Sequence, residues 1–434
     1  MNPILYLIYH FLKLVTRICF WVYFPKTTVI NRQHFRFDRP TILVSNHPNT
    51  LLDPLHAAVR VPMIVHFLAN ASLFNGTFFN WFFSTFFCIP VERPQDVNGR
   101  ALNNQEAFRQ ASDFLGKGGC LYIAPEGTSF KGRRIRPLKT GAARIALNAE
   151  GQKGFELGLS IMPVGLTYEA SNCFDSRLTI CAGNPIWIKD YKGLYQEDAF
   201  QAARQLTDDL EATLRSLVVH TRDEEEDRLI GRIETLLRNS SPAPEPVHFT
   251  RTQHLIEQLH TWQEQAPQEA LEFRQEVDQY FSALQEQRTE DKALARPLRP
   301  WWLHFIGLVL LFPVFLHGLA HNFLPAFIPV GLARRLKLDV EYNSTLKIMV
   351  GLVTFPLFYF LQYRLIFWLY DGQTALIYLL TLLPAGLFAW AFFQHQKRAF
   401  RYFRFRRSTR REELLALRSA IWEKTGNLLD KKEV

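Results

Sequence analysis

The chain has 434 residues, a hydrophobic fraction of 48% and a net charge of +9, which allows two or three domains of ~100–200 residues each. Its five cysteines form no Cys-x-x-Cys pair and are odd in number, which argues against a disulfide framework and fits a reducing compartment. The positive charge suits anionic lipid headgroups or phosphorylated ligands; no nucleic-acid-binding motif is recognisable, so nucleic acid is not an expected partner.

Residues 1–24 are predicted to form a membrane-interfacial helix. His10, Lys13 and Arg17 recur at helical spacing in an otherwise apolar and aromatic stretch, so a single polar stripe runs along the helix. Such a helix lies in the membrane interface more readily than it crosses the bilayer, although a true span stays an alternative. A cleaved signal peptide is not expected, because no suitable small-residue cleavage site follows the apolar run.

Residues 25–238 are predicted to form an α/β domain, because short apolar runs alternate with helical stretches at 99–115 and 140–149. This alternation indicates a mostly parallel central sheet flanked by helices. The predicted strands are Thr41–Ser45, Met63–Leu68, Phe87–Val91, Gly119–Ala124, Ser160–Leu166 and Leu178–Ala182. Pro163 cannot donate to a strand ladder, so its run is expected at a strand end or edge of the sheet.

The last third of the chain is predicted to be a transmembrane region. Residues 239–300 read as a linker and a polar helical segment, followed by transmembrane helices within 301–394. Three apolar blocks there, near 303–328, 346–370 and 374–393, are each long enough to cross ~30 Å of hydrocarbon. An odd number of spans cannot return the chain to its starting side, so one block is expected to be re-entrant or surface-lying if both flanks are cytoplasmic.

Residues 395–434 form a basic tail whose cations and aromatic residues suit contact with anionic lipid. The positive-inside rule places this tail in the cytoplasm. We therefore expect a multi-pass membrane protein with its α/β domain on the cytoplasmic face. The cations, with no acid among them, are Lys397, Arg398, Arg401, Arg404, Arg406, Arg407, Arg410 and Arg411.

His47 and Asp53 are the candidate catalytic pair, because they follow the predicted strand Thr41–Ser45. Neutral imidazole can take a proton from an alcohol near pH 7, and a nearby carboxylate can fix its tautomer and stabilise the imidazolium. The alternative is structural: Asp53 precedes Pro54 and could cap a helix, with His47 an ordinary loop histidine.

A candidate phosphate site begins with Pro125-Glu126-Gly127-Thr128, at the end of another predicted strand. A carboxylate and hydroxyls can bind a polyol, and a glycine lets backbone N–H groups approach a phosphate. Arg93, after a third strand, suits bidentate phosphate binding. A simple turn, a solvated basic surface and a salt bridge from Arg93 to Glu92 or Asp96 are the alternatives. A basic cluster able to hold a phosphate follows the turn: Lys131, Arg133, Arg134, Arg136 and Lys139.

In this order and spacing the motifs resemble those of the glycerolipid acyltransferase superfamily, over roughly residues 25–190. Five residues separate His47 from Asp53, whereas most of the family has four. The longer spacing is similar to that of the branch that acylates glycerol-3-phosphate and dihydroxyacetone phosphate and carries C-terminal membrane segments. The matching positions are Asn46, His47 and Asp53 for the first motif, Arg93 for the second, Pro125–Thr128 for the third, and Met162, Pro163 and Val164 for the fourth.

The resemblance implies acyl transfer from a fatty acyl thioester, either acyl-CoA or acyl carrier protein, to the sn-1 hydroxyl of glycerol-3-phosphate in phospholipid biosynthesis. The thioester is a co-substrate, and neither a cofactor nor a metal ion is expected. Lysophosphatidate acylation, thioester hydrolysis and a non-catalytic lipid-binding or transport role are the alternatives. The resemblance implies His47 as general base and Asp53 as its partner, with substrate bound by Arg93, Glu126, Gly127 and Thr128 and, from the basic cluster, Lys131 and Arg133.

Overall fold

The computed structural model describes residues 3–85, 87–93, 103–296, 298 and 300–430. The chain divides into two compact units. Unit 1 consists of Met1–His220 and Asp339–Thr345, and unit 2 consists of Thr221–Leu338 and Leu346–Val434. A short segment between two late helices therefore belongs to the same unit as the α/β region.

Unit 1 contains one eight-stranded sheet and seven helices among its described residues. The strands are β1 Lys26–Ile30, β2 Thr41–Ser45, β3 Val65–Asn70, β4 Cys88–Val91, β5 Cys120–Ile123, β6 Ser160–Tyr168, β7 Arg177–Ala182 and β8 Ile186–Trp187. The helices are α1 Pro3–Tyr23, α2 Leu52–Ala58, α3 Thr77–Thr85, α4 Gln105–Leu115, α5 Gly141–Gly151, α6 Lys192–Glu197 and α7 Ala199–Ser216. Residues 99–102 of the predicted helix 99–115 lie outside the described residues.

The sheet confirms the predicted mostly parallel α/β fold. Its strand order is β1-β7-β6-β2-β5-β3-β4, with β8 also paired to β6. Strands β6, β2, β5, β3 and β4 run parallel to one another, whereas β7 and β8 are antiparallel to β6. Strand β2 is buried along its whole length, as expected for a parallel strand covered on both faces. The carboxyl ends of the five parallel strands consequently share one edge of the sheet.

The expectation that Pro163 marks a strand end or edge is wrong. Pro163 lies inside β6, an interior strand, and is in register with Val44 of β2. On its other side β6 pairs with β8 at Ser160 and Ile161 and with β7 only from Val164 onward. Pro163 therefore faces the junction between β8 and β7, where its carbonyl accepts from Gly183 N–H at 2.9 Å and the missing donor interrupts neither ladder.

Helix α1 packs the side that carries Lys13 and Arg17, together with the buried aromatic residues Tyr9, Phe20 and Tyr23, against the rest of unit 1. Lys13 Nζ donates to the Val61 carbonyl at 2.6 Å, and Arg17 Nη2 donates to the Val59 carbonyl at 2.7 Å. These carbonyls lie just beyond the end of α2 and need donors there. The side chains of Leu7 and Phe11 are more than 60% exposed on the opposite side, which fits contact with a bilayer. The interfacial placement of α1 stays a prediction.

Unit 2 is helical throughout its described residues. Its helices are α8 Glu224–Ser240, α9 Glu245–Gln265, α10 Pro267–Glu286, α11 Asp291–Ala295, α12 Trp301–Leu336, α13 Asn343–Leu369 (with its first three residues in unit 1), α14 Gly372–Arg406 and α15 Arg411–Asp430. Helix α8, most of which falls within the predicted α/β domain 25–238, belongs to this unit. Helices α9–α11 occupy residues 239–300, the segment predicted as a linker and a polar helical segment.

Helices α12 and α14 approach closely through small residues. A Cβ atom on Gly318 of α12 would lie 2.0 Å from the Ala385 carbonyl oxygen of α14, so only glycine permits this crossing. Beside it, Asn322 Nδ2 donates to the Leu382 carbonyl at 3.0 Å, which satisfies a polar group between two apolar helices.

Four described helices are long and apolar enough to cross a membrane: Pro3–Tyr23, Trp302–Leu336, Val340–Leu369 and Gly372–Arg406. The last three confirm the apolar C-terminal blocks as helices, and the chain is accordingly a membrane protein. The cytoplasmic orientation of unit 1 stays a prediction.

Candidate active site

Three neighbouring strands bring the candidate catalytic residues together. His47 follows β2, Glu126 follows β5, and Tyr168 ends β6, and β2 lies between β5 and β6 in the sheet. These side chains therefore meet at the carboxyl edge of the parallel strands, which is the usual location of binding sites in such sheets.

His47 and Asp53 form a direct pair. Nδ1 of His47 lies 3.0 Å from Oδ2 of Asp53, with the imidazole side chain 18% exposed and the carboxylate fully buried. Asp53 sits in the first turn of α2, whose N-cap is Leu51 and has no side-chain cap bond. The turn between the two residues thus absorbs the five-residue spacing and still lets the carboxylate reach the imidazole.

Asp53 accepts hydrogen bonds from three groups. Asn49 N–H donates to Oδ2 at 2.6 Å, His47 Nδ1 approaches the same oxygen, and the Tyr168 hydroxyl donates to Oδ1 at 2.9 Å. An ionised carboxylate can only accept, so it assigns the proton of a neutral imidazole to Nδ1. The partly exposed Nε2 is then the nitrogen able to take a proton.

Burial opposes ionisation of both carboxylates at the site. Burial raises the pKa of Asp53, while the bonds from His47, Asn49 and Tyr168 act in the lowering direction. Burial likewise raises the pKa of Glu126, against the backbone N–H groups of Arg136 and His47. Clustered groups with such shifts at a sheet edge are typical of functional sites.

Glu126 connects the histidine loop to the basic loop through backbone contacts. Its Oε1 accepts from His47 N–H at 2.8 Å, and its Oε2 accepts from Arg136 N–H at 3.2 Å. Phe130 N–H donates to the His47 carbonyl at 3.1 Å. Residues 126–130 thus hold both backbone groups of His47. These contacts give Glu126 a positioning role, and its direct contact with substrate stays a prediction.

Gly127 is required by conformation and by space. Its φ of 73° lies in the left-handed region, and a Cβ atom there would lie 2.5 Å from Lys139 Nζ. The absence of a side chain lets the Lys139 ammonium pack against the turn. The basic cluster therefore returns to the Glu126-Gly127 segment, beside the histidine.

The rest of the basic loop is anchored along its length. The Arg136 guanidinium lies 4.6 Å from the centre of the Phe130 ring. The backbone N–H groups of Ile135 and Leu138 donate to His220 Nδ1 and Glu211 Oε2 at 3.2 and 3.1 Å. Among the other predicted binding residues, Lys131 is exposed, and Thr128 and Arg133 are half-buried.

Arg93 lies on the same edge of the sheet but farther from the dyad. It follows β4, the edge strand, which is three strand positions from β2, or about 14 Å at the usual strand spacing. The structure thus brings His47, Asp53, Glu126 and Gly127 into one cluster and places Arg93 at its flank.

Sequence reasoning missed the polar groups that hold the dyad. Tyr168 lies two residues beyond the predicted end of its strand, in phase with Leu166, and this period-2 pattern could have indicated it. The amide of Asn46 bridges to the Leu166 backbone, with Nδ2 donating to the carbonyl at 2.9 Å and Oδ1 accepting from N–H at 2.7 Å. The side chain of Asn46 bonds to the backbone of a strand that lies 120 positions later in the chain. No sequence pattern predicts such a partner.

Comparison with known proteins agrees with the resemblance given by the motifs. Residues 26–167 match the Acyltransferase family model. Glycerol-3-phosphate O-acyltransferase 1 of Saccharomyces cerevisiae is 26% identical over 60% of this chain and 36% of its own length. Glycerol-3-phosphate O-acyltransferase 2 of the same yeast is 29% identical over 28% of this chain and 16% of its own length.

A chloroplastic 1-acyl-sn-glycerol-3-phosphate acyltransferase of Brassica napus is 24% identical over 30% of this chain and 33% of its own length. The chain thus spans only about a third or less of each of these relatives. The matches agree with the glycerolipid acyltransferase resemblance: the range that matches the Acyltransferase family model, residues 26–167, contains the dyad, Arg93 and the basic loop.

Proposed function

We propose that the protein transfers an acyl group from a fatty acyl thioester, acyl-CoA or acyl carrier protein, to the sn-1 hydroxyl of glycerol-3-phosphate. The observation that carries the proposal is the His47–Asp53 pair, whose Nδ1 and Oδ2 atoms lie 3.0 Å apart. The backbone of His47 is bonded to Glu126 and Phe130, in the segment that begins the basic loop. A base for a hydroxyl and a cationic loop for a phosphate are thereby adjacent, and both lie in the range that matches the Acyltransferase family model.

In this mechanism His47 acts as general base through Nε2. It takes the proton of the acceptor hydroxyl as the oxygen attacks the thioester carbonyl, so a C–O bond forms and the C–S bond breaks. The imidazolium then returns the proton to the departing thiolate. Asp53 stabilises the imidazolium and fixes its tautomer, while Tyr168 and Asn49 orient the carboxylate. No protein nucleophile is needed, because the thioester is already activated.

The acceptor phosphate is bound by cations around the turn in this proposal. Lys131, Arg133 and Arg93 supply the charge, and Gly127 and Thr128 supply backbone and hydroxyl contacts. Arg93→Ala should raise the KM for the acceptor at least about tenfold, because a charge-assisted phosphate contact is lost, with a smaller effect on the KM for the thioester. Equal effects on both KM values would contradict this role for Arg93.

The test measures thiol release by the full chain in membranes, with glycerol-3-phosphate, dihydroxyacetone phosphate or lysophosphatidate added separately. We expect glycerol-3-phosphate to give the largest stimulation and His47→Ala to lower kcat by about 10²–10⁴-fold. His260→Ala is a matched control, because His260 Nε2 lies 2.6 Å from Glu226 in unit 2, a second imidazole–carboxylate pair. Near-normal turnover in His47→Ala would refute the mechanism.

Lysophosphatidate is the second candidate acceptor, because the relative from Brassica napus is named as an acyltransferase for 1-acyl-sn-glycerol-3-phosphate. The same dyad and phosphate site would serve that acceptor. Stimulation by lysophosphatidate above that by glycerol-3-phosphate would favour this function. Thiol release without any acceptor would instead indicate thioester hydrolysis.

A further inference from the structure

Thr50, between the two members of the dyad, has a backbone conformation that threonine rarely adopts. Its φ is 37°, in the left-handed region that costs free energy for a β-branched residue. The strained residue lies in the turn that lets Asp53 reach back to His47. Something must therefore hold the turn in this conformation.

The Thr50 side chain is held by a segment almost three hundred positions later in the sequence. Its hydroxyl lies 2.8 Å from the Thr345 hydroxyl and donates to the Glu341 carbonyl at 3.3 Å. Thr50 is only 8% exposed, so water competes little for these bonds. The two contacts involve the side chain of the strained residue itself.

The same segment is linked to Asn49, the residue before Thr50, through a shared acceptor. The Ser171 carbonyl accepts from Asn49 Nδ2 at 2.9 Å and from the Ser344 hydroxyl at 2.7 Å. Asn49 is also the residue whose N–H donates to Asp53. The residue before Thr50 and the segment therefore share one acceptor, and this arrangement extends directly to the catalytic carboxylate.

The segment also reaches the basic loop. Oε1 of Glu341 accepts from Lys131 N–H at 3.0 Å. Residues 339–345, which we name the clamp segment, thus bond to both loops of the site. They belong to unit 1, whereas the residues on either side of them in the chain belong to unit 2 and to helices long and apolar enough to span a membrane.

We propose that the clamp segment holds the dyad turn in its catalytic geometry and that Thr50 is the positioning residue through which it acts. The bonds of the Thr50 hydroxyl with the Thr345 hydroxyl and the Glu341 carbonyl stabilise the left-handed turn and so keep the Asp53 carboxylate on His47. The connection from α12 to α13, together with the first residues of α13, is therefore part of the active-site structure. This inference rests on the proposed function for its kinetic test but not for its structural one.

The kinetic test is a double-mutant cycle in the full chain in membranes. Thr345→Val removes one hydroxyl with little change of shape and should lower kcat about fivefold, as loss of one hydrogen bond does. Thr50→Gly relieves the strain, so adding Thr345→Val to it should cause no further loss. If Thr345→Val lowers kcat by the same factor in the wild type and in Thr50→Gly, the proposal is overturned.

A pH profile separates positioning from loss of folded protein. In Thr345→Val the acid limb of the kcat profile should move to higher pH, because a loosened turn weakens the His47 contact that acts against the burial-raised pKa of Asp53. Fewer folded molecules would lower the whole curve without moving it, and that result would count against the clamp. Thr213→Val is the matched control, because Thr213 donates only within α7, to the Asp209 carbonyl at 2.8 Å.

The structural test is independent of acyl transfer. Hydrogen exchange of the Asn49 and Thr50 amides in the full-length protein should be at least about fivefold faster in Thr345→Val than in the wild type or in Thr213→Val. Unchanged exchange would overturn the clamp even if acyl transfer is confirmed. Faster exchange would support it even if every acceptor fails and the proposed function is abandoned.

Discussion

Among the residues that the structure describes, each compact unit buries one aspartate beside a tyrosine, and the two sites differ in the remaining partners. Asp53 in unit 1 accepts from Tyr168, Asn49 N–H and His47. Asp291 in unit 2, 2% exposed, accepts from Tyr280 at 2.7 Å, Asn239 at 2.7 Å and Arg418 at 2.8 Å. The two carboxylates are therefore similarly buried and each accepts from three groups, but the cationic partner is an imidazole in one site and a guanidinium in the other.

The difference lies in whether the cationic partner can lose its proton. The guanidinium of Arg418 is permanently charged and only 15% exposed, so the Asp291 site is a fixed ion pair. Imidazole is a type of side chain that can gain and lose a proton, unlike guanidinium, and the ring of His47 keeps Nε2 away from the carboxylate. A buried carboxylate alone therefore does not indicate catalysis; its partner does.

The largest expected effect separates the two aspartates by activity. Asp53→Asn should lower kcat by about 10²–10⁴-fold, because the imidazole loses the charge that stabilises its protonated form. Asp291→Asn should leave kcat per folded molecule unchanged and lower the free energy of unfolding by about 3–5 kcal/mol, because a buried cation loses its partner. Thiol release and thermal unfolding of purified protein measure both, and the reverse pattern would contradict the comparison.

Exchanging the hydroxyl donors should give a smaller separation. Tyr168→Phe removes the bond to Oδ1 of Asp53 and should lower kcat about tenfold, as expected for a hydrogen bond to a charged group. Tyr280→Phe removes the equivalent bond to Asp291 and should leave kcat unchanged. Steady-state kinetics at saturating substrate concentrations measure kcat for both variants. An equal loss of kcat in the two variants would show that the Tyr168 hydroxyl does not act through the dyad.

The smallest expected effect is a difference between the wild type and Asp53→Asn in how stability depends on pH. Burial raises the folded-state pKa of Asp53 above its ordinary value of 3.8, so the folded form binds the proton more tightly than the unfolded form. The stabilising contribution is then complete below about pH 4 and is lost as the pH rises through the raised pKa. Tm measured from pH 4 upward should fall less steeply in Asp53→Asn than in the wild type. Parallel curves would contradict the raised pKa.

The sequence was sufficient for the parts of the site that depend on local order. His47 and Asp53 lie six positions apart after an apolar run, so both a strand and a reachable carboxylate could be predicted. Strand β1 could not, because Lys26-Thr27-Thr28-Val29-Ile30 is half-exposed and is stabilised by its parallel pairing with β7, not by a pattern of its own.

Long-range partners were beyond the reach of sequence patterns. Tyr168 contacts Asp53 across 115 positions, and Thr345 contacts Thr50 across 295. Neither pair has a spacing that a helix or strand period would reveal. Pro163 was misplaced for a related reason, because the sequence gives no sign that its missing donor would face a junction between two strands.

The contacts of α1 with the end of α2 have a consequence for how α1 can be replaced. Lys13 and Arg17 are bonded to carbonyls that follow α2, the helix that carries Asp53. A foreign hydrophobic helix in place of residues 3–23 would retain partition into lipid but leave those carbonyls without donors. Helix α1 therefore supports α2, and residues 3–23 cannot be exchanged for another apolar helix without loosening the helix that carries Asp53.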